Sequence, residues 1–366
     1  MEMTRRDALP LLAAAGLIAR AGTASVQYGG AASAVPVRAH LGVTENPFGP
    51  SPAARKAIVA SVAEAPFYPH SEAGLTDRIR GSEGLGPDQI GLASGSLDAL
   101  SHLAVGIGRG GRILSPAPTY ATHLAYAARQ GIETDWVRLR ADHQIDLEGM
   151  LAAIGRSTKL AYVCNPNNPT GLLADPEALA AFCIAAARRV PVLVDEAYYE
   201  LAPDPARQSM ARLVRDGHDV IVARTFSKVY GLAGLRIGYV LAQAPRIRML
   251  RSLATTSRNQ AGLAAATASF GDAAYLKGAV AYLADCRARI YAVARANGLR
   301  FLPSIGTYVY VDCGQPAKAV QARLAALGVE IRLFDGAGYE NWMRIGTATP
   351  ADIAILGEAL PKALRG

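Results

Sequence analysis

The sequence predicts an α/β protein: a mostly parallel sheet covered by helices, with a smaller α+β domain after it. Three observations carry this. Short apolar runs of strand length alternate with helical patterns from about residue 90 to 245, the order that builds a parallel sheet covered on both faces. Several of these runs end in polar, turn-rich segments, at Ser94-Gly95-Ser96, Asn165-Pro166-Asn167-Asn168 and Asp195-Glu196. Ligands in such folds bind at the carboxyl ends of the strands. After Pro245 the pattern changes to two long alanine-rich helices over 246–272 and 273–297, then strands at 300–311 and 329–333 around a helical 318–327. The expected organisation is a leader over 1–34, an arm over 35–66, a large domain over 67–247 and a small domain over 248–366.

Composition narrows the class of function. The 366 residues are 51% hydrophobic and 19% charged, which gives two domains ample core. The net charge of +8 is spread along the chain without a block of like charge. That favours small anionic ligands over nucleic acid, and no aromatic–basic interleaving of the kind that grips single strands is visible. Cys164, Cys183, Cys286 and Cys313 are scattered, and the histidines form no H-x-x-x-H pair. No metal site is expected.

The first residues read as an address. Thr4-Arg5-Arg6-Asp7 precedes an apolar run over 9–19 and a small-residue stretch over 21–34. Charged, apolar and small segments in that order form an export signal, and the paired arginines point to the twin-arginine type. Ala32-Ser33-Ala34 and Gly22-Thr23-Ala24 are competing cleavage sites. The apolar run is shorter than the ~20 residues a membrane anchor needs. The expected location is periplasmic or exported, or cytoplasmic if the signal does not work.

The most chemically pointed stretch is Thr225-Phe226-Ser227-Lys228-Val229-Tyr230-Gly231-Leu232-Ala233-Gly234-Leu235-Arg236-Ile237-Gly238-Tyr239. A lysine in a tight, mostly apolar segment loses hydration. Its pKa falls, and the freed amine can form a Schiff base with a carbonyl. The stretch resembles the lysine signature of class I/II aminotransferases, the fold-type I pyridoxal-phosphate enzymes, and among them the histidinol-phosphate aminotransferase subgroup. The resemblance implies that fold and pyridoxal 5'-phosphate as cofactor, bound covalently by Lys228. It also implies a homodimer that exchanges an amino group between an amino donor, histidinol-phosphate-like or aromatic, and a 2-oxo acid.

Other motifs follow in the family's order. Ser94-Gly95-Ser96-Leu97 precedes apolar residues at helical spacing, and the free N–H groups of a helix start form a ready anion site. The resemblance makes Gly95, Ser96 and Leu97 a phosphate loop, joined by Thr225, Ser227 and Arg236. The family usually has an acidic residue where Leu97 stands. Tyr120 closes Pro116-Ala117-Pro118-Thr119-Tyr120 and matches a tyrosine that stacks on the pyridine ring. Asn165-Pro166-Asn167-Asn168-Pro169-Thr170-Gly171 matches a superfamily motif that assigns Asn168 to the ring hydroxyl. Asp195 ends the apolar run Val190–Val194, where a buried carboxylate requires a cationic partner. A protonated pyridine nitrogen is such a partner. Tyr198 is placed to share the ring oxygen with Asn168. Tyr68, in Phe67-Tyr68-Pro69, matches a tyrosine that reaches the cofactor phosphate of a neighbouring subunit.

On the substrate side, Asn341-Trp342-Met343-Arg344-Ile345-Gly346-Thr347 resembles the motif whose arginine forks a substrate carboxylate, a task suited to guanidinium. Ser51 and Pro52 announce a helix over 53–64. The arm before it, Thr44-Glu45-Asn46-Pro47-Phe48-Gly49-Pro50, resembles one that folds over the active site and brings Asn46 to the substrate. Arg332, Arg258, Asn259 and Phe48 are further candidate side-chain contacts. Thr44 and Thr307 stand where the subgroup tends to have asparagine. A decarboxylase or lyase on the same scaffold, and a non-catalytic cofactor-binding protein, are the alternatives. The second needs a DNA-binding module if it is a regulator, and no helix-turn-helix precedes residue 40.

Overall fold

The computed structural model describes residues 35–334 and 336–365; the leader expected over 1–34 lies outside them. The arm opens with β1 (Ala39–His40) and runs into α1 (Pro52–Ser61). The Ser51 hydroxyl accepts the Ala54 N–H at 3.0 Å, and Pro52 opens the helix, as its fixed φ and missing N–H favour. After α2 (Ala73–Glu83) the alternation begins: β2 (Ile90–Ala93), α3 (Ser96–Gly108), β3 (Arg112–Ala117), α4 (Thr122–Arg129) and β4 (Thr134–Arg138). It continues with α5 (Leu147–Ala153), β5 (Thr158–Cys164), α6 (Pro176–Ala187), β6 (Val192–Asp195), α7 (Pro205–Gln208), α8 (Ala211–Arg215), β7 (Val220–Thr225) and β8 (Gly238–Leu241).

These strands form one seven-stranded sheet in the order β2-β8-β7-β6-β5-β3-β4. All neighbours pair in parallel except at β8, which runs against both β2 and β7. Successive side chains leave opposite faces of a strand, and the core divides accordingly. Leu160, Tyr162, Leu193, Ile221 and Ala223 pack with Leu100 and Leu103 of α3 and Leu124 of α4. Ala161, Val163, Val192, Val194, Val220 and Val222 pack on the other face with Ile79 of α2, Leu179 and Phe182 of α6 and Val214 of α8. Full burial of each Leu, Ile, Val or Phe stabilises the fold by about 1.5–3 kcal/mol, so the two-sided pattern itself determines which helices cover which face.

The C-terminal part contains α9 (Ala244–Leu253), α10 (Gln260–Ser269), α11 (Ala273–Ala296), β9 (Arg300–Phe301), β10 (Tyr308–Asp312), α12 (Ala317–Ala326), β11 (Val329–Glu330), β12 (Arg332–Leu333), β13 (Trp342–Gly346) and α13 (Pro350–Arg365). A four-stranded antiparallel sheet runs β12-β13-β10-β9, and β1 pairs in parallel with β11. Val309, Val311, Met343 and Ile345 face a core shared with α11, α12 and α13. Tyr308 and Arg344 alternate with them and face the large sheet's edge.

Two expectations change. The single helix over 246–272 is broken between Leu253 and Gln260. Residues Thr255, Thr256 and Ser257 in the gap are poor helix formers, and Asn259 restarts the helix by capping it, its Oδ1 accepting the Gly262 N–H at 2.8 Å. The strand over 300–311 is interrupted from 302 to 307, where Pro303 removes a donor and Gly306 loosens the backbone. The interruption lays Ile305 against the Asn167–Gly171 turn, its N–H donating to the Gly171 carbonyl at 2.8 Å.

Candidate active site

Sheet register assembles an anion cup from three strands. Gly238 on β8 lies opposite Ala93 on β2 and Thr225 on β7, so the start of α3 is brought beside the Thr225–Ser227 turn. Gly95 has a φ of 87°, and a Cβ there would stand 2.4 Å from Arg236 Nη2. A Cβ at Gly238 would stand 2.7 Å from the Ser96 nitrogen. Both glycines are needed for the guanidinium and the helix start to approach each other. The Thr225 hydroxyl donates to Ser227 Oγ at 2.9 Å, and Arg236 Nη1 donates to the same oxygen at 3.3 Å. Arg236 is itself exposed. Leu97 brings only its backbone N–H to the first turn, so its apolar side chain costs the cup nothing. A helix N-terminus, clustered hydroxyls and an exposed guanidinium are the donor set of a phosphate dianion.

Asp195 is the last residue of β6 and lies beside Cys164 of β5. It is buried, and burial raises its pKa to about 6 against the opposing pull of its hydrogen bonds and of Lys228. Oδ1 accepts the Ala197 N–H at 3.1 Å and Oδ2 accepts the Tyr162 hydroxyl at 3.3 Å. Among the described residues it has no salt-bridge partner. Its neighbour Glu196 points to the other side, where it pairs with Arg224 Nε at 2.9 Å and accepts from Ser209 and the Met210 N–H. Of the two adjacent carboxylates, only Asp195 is left to meet a cationic ring nitrogen.

Lys228 reaches toward the arm. Its Nζ donates to the Thr44 carbonyl at 2.7 Å and to Thr44 Oγ1 at 2.6 Å. Desolvation first, and then the charge of Arg344, lower its pKa to about 7. The Tyr198 ring centre lies 5.6 Å from Nζ, and its hydroxyl donates to Thr44 Oγ1 at 3.3 Å. Asn168 Nδ2 donates to that hydroxyl at 3.4 Å. Tyr120 sits half-buried in the turn after β3, its ring stacked at 6.2 Å on buried His123.

Arg344 lies in the middle of β13, buried. Nη1 donates to Asn168 Oδ1 at 3.0 Å and Nη2 to the Gly42 carbonyl at 2.9 Å. Among the described residues Nε has no hydrogen-bond partner. The rings of Phe334 and Tyr308 lie 5.0 and 5.5 Å from the guanidinium carbon. Burial lowers its pKa to about 10, and the charge of Arg332 acts in the same direction. Arg332 is the register partner of Arg344 on β12. Two cations at one register position, one of them with an unused buried donor, call for an anion.

Lys228, Asp195, Asn168, Tyr198, Thr225, Ser227, Arg236, Ser96 and Arg344 therefore gather at one edge of the large sheet. Other candidates stand apart. Asn46 is occupied at both ends, Nδ2 donating to the Val229 carbonyl at 2.7 Å and Oδ1 accepting the Phe48 N–H at 3.0 Å. It fastens the arm to the lysine loop. Asn259 is exposed and caps α10. Phe48 packs on Tyr275 and Tyr282 of α11. Arg258 is buried, and its guanidinium is held by the Leu92 and Thr256 carbonyls. Tyr68 is 83% exposed on its own chain. Three contributors escape sequence reasoning. Tyr162 bonds Asp195, the Gly42 carbonyl bonds Arg344, and Tyr308 stacks edge-on with Tyr198 at 5.3 Å while its hydroxyl donates to the Asn167 carbonyl at 2.9 Å. Only the tyrosines left a trace in sequence, as polar-tipped residues inside otherwise aliphatic strands.

Comparison with known proteins agrees with this geometry. The sequence model of the family described as aminotransferase class I and II matches residues 39–360. A histidinol-phosphate aminotransferase of Symbiobacterium thermophilum is 35% identical over 335 residues, covering 88% of this chain and 90% of that protein. Histidinol-phosphate aminotransferase 1 of Cupriavidus pinatubonensis is 33% identical, covering 89% and 88%. The crystal structure of histidinol-phosphate aminotransferase from Sinorhizobium meliloti, in complex with pyridoxal-5'-phosphate, superposes with a TM-score of 0.85 at 34% identity, covering 90% of this chain and 92% of that one. A phosphate cup, a buried carboxylate for a ring nitrogen and a lysine of lowered pKa fit that cofactor, and the chain belongs to the class I and II aminotransferases, as a pyridoxal-phosphate-dependent enzyme.

Proposed function

We propose that the chain moves an amino group from a histidinol-phosphate-like or aromatic donor to a 2-oxo acid in two half-reactions on one site. The observation that carries this reading is the single hydrogen-bonded line Lys228–Thr44–Tyr198–Asn168–Arg344 beside Asp195. Arg344 binds the donor's carboxylate, or the equivalent anion, and its Nε is the donor left without a partner among the described residues. Ser96, the N–H groups after Gly95 and at Leu97, Thr225, Ser227 and Arg236 hold the cofactor phosphate. Tyr120 gives the ring a flat apolar face, Asn168 and Tyr198 hold its oxygen, and Asp195 keeps its nitrogen protonated. Pyridoxal phosphate, when bound, supplies an electron sink for the charge left on Cα. Lys228 anchors the cofactor covalently. Freed by the incoming amine, its Nζ has a pKa near neutrality and so can take the proton from Cα and give it back on the cofactor side.

Arg332 beside Arg344 supports a donor whose anion is a phosphate, with more charge than a carboxylate. The aromatic rings of Phe334 and Tyr308 support a planar side chain. Assay of a panel of amino donors against 2-oxoglutarate separates the two: preference for a phosphorylated donor, lost on Arg332→Ala, selects the first. Activity with no donor of either kind rejects both.

The same proposal includes a twofold dimer. Exposed Val59, Val62, Phe67 and Tyr68 lie close together in sequence at the end of the arm and support a covered surface that delivers Tyr68 to a partner's phosphate cup. It also includes export by the segment 1–34, supported by the order of charge, apolar run and small residues. A reporter fused after residue 40 should leave the cytoplasm, and Arg5→Lys with Arg6→Lys should retain it.

A further inference from the structure

Thr44, like Thr307, is a residue that the family resemblance leaves without a task, because asparagine is usual there. In the structure it touches both groups around which the chemistry turns. Its Oγ1 lies 2.6 Å from Lys228 Nζ and 3.3 Å from the Tyr198 hydroxyl, and its carbonyl lies 2.7 Å from Nζ. Thr44 is buried. A hydroxyl has two lone pairs, and here each faces one of those donors. The backbone around it is fastened on both sides. The Gly42 carbonyl accepts from Arg344 and the Leu41 carbonyl from the Gly346 N–H at 2.7 Å. The Glu45 carbonyl accepts from Thr347 Oγ1 at 3.1 Å, and Asn46 donates to Val229 next to the lysine. A β-branched side chain on a fixed backbone has few rotamers, which limits where its hydroxyl can turn.

We infer that Thr44 is a positioning residue that aims the Lys228 amine and the Tyr198 phenol at one point, with the arm acting as its mount. The inference rests on Lys228 being the reacting amine, as proposed above. It assigns the arm a role beyond covering the site. A seated arm supplies the acceptor that fixes where the amine sits and how firmly it holds its proton. An acceptor on a nitrogen's proton favours the protonated form, so Thr44 acts against the desolvation and the Arg344 charge that push the other way.

The test uses the full chain, before and after loading with pyridoxal phosphate. Thr44→Val keeps the shape and the backbone carbonyl and deletes the hydroxyl; Thr44→Ser keeps the hydroxyl. Before loading, the Lys228 amine is titrated through the pH dependence of its labelling by an amine-specific reagent; after loading, kcat and KM are measured for one amino donor. In Thr44→Val the midpoint should fall by about one pH unit and kcat by about tenfold, with KM changed less than about twofold. Thr44→Ser should restore both. If the valine chain does not fold, Thr44→Ala carries the same expectation, with melting of the loaded protein as the check. A midpoint and kcat equal to the parent's in the hydroxyl-free variant overturn the inference, and so does a serine variant that behaves like valine. Failure of the underlying reading looks different: borohydride reduction then fixes the cofactor to a lysine other than Lys228.

Discussion

Asn168 and Arg344, 176 positions apart in sequence, are joined by a 3.0 Å hydrogen bond from Nη1 to Oδ1. The other end of the same amide donates to the Tyr198 hydroxyl at 3.4 Å. One side chain thus ties the proposed carboxylate anchor in the small sheet to the proposed ring-oxygen position at the edge of the large one. Its backbone position is set by the turn after β5, against which the segment before β10 is hydrogen bonded.

Replacing that amide should therefore disturb two bindings together. Asn168→Leu is expected to raise the cofactor Kd and the donor KM by about tenfold each, the effect of losing one hydrogen bond at each end of about 1–1.5 kcal/mol. Equilibrium dialysis and steady-state kinetics on the same preparation measure both. A change in only one of them would separate the two roles.

The acid limb of the pH profile should belong to Lys228. Its pKa is depressed to about 7 from the usual lysine value, so the free amine that accepts a proton predominates above pH 7 and is lost below it. The rate of the first half-reaction, followed in single turnovers, should fall about tenfold per pH unit below that midpoint. Arg344→Met removes a positive charge that helps to depress this pKa, so the midpoint should move upward.

Arg236 is exposed at the cup and adjoins Gly95 and Ser227. Arg236→Ala should weaken cofactor binding by about 1.5–3 kcal/mol, the range for hydrogen bonds to charged groups. Titration of the cofactor-free chain with pyridoxal phosphate measures it, and unchanged affinity would remove Arg236 from the cup.

Much of this site was legible because its residues stand at strand ends in short motifs. Asp195 ends an apolar run and Lys228 follows another. Periodicity locates both, and a parallel sheet brings such ends to one edge. What local sequence cannot carry is the meeting of distant segments. The Thr44–Lys228 bond spans 184 positions and the Arg344–Gly42 bond 302. Each depends on the arm being laid across the small sheet, where Gly346 is close enough to Val43 that a Cβ would stand 2.0 Å from its carbonyl oxygen. An amide suits binding and capping equally, and only the structure shows Asn46 holding the Val229 carbonyl and the Phe48 N–H, and Asn259 capping α10. The break in the helix before Gln260 was hidden by alanine-rich flanks that outweigh two threonines and a serine in any local sum.

Tyr68 tests the assembly. Sedimentation should give a dimer, and Tyr68→Phe should weaken cofactor binding by about tenfold without changing the sedimentation coefficient, as expected for one lost hydrogen bond to a charged phosphate. A fully active monomer would contradict the proposal that the partner completes the cup.

Amino transfer through Lys228 is decided by a half-reaction. The loaded chain is mixed with one amino donor and no acceptor, and products and cofactor are both analysed. Amino transfer should give one oxo product per site, the cofactor left in its aminated form, and recovery of the original spectrum when a 2-oxo acid is added, with none of this in Lys228→Ala. Carbon dioxide released while the cofactor returns unchanged would contradict it and identify a decarboxylase on the same fold.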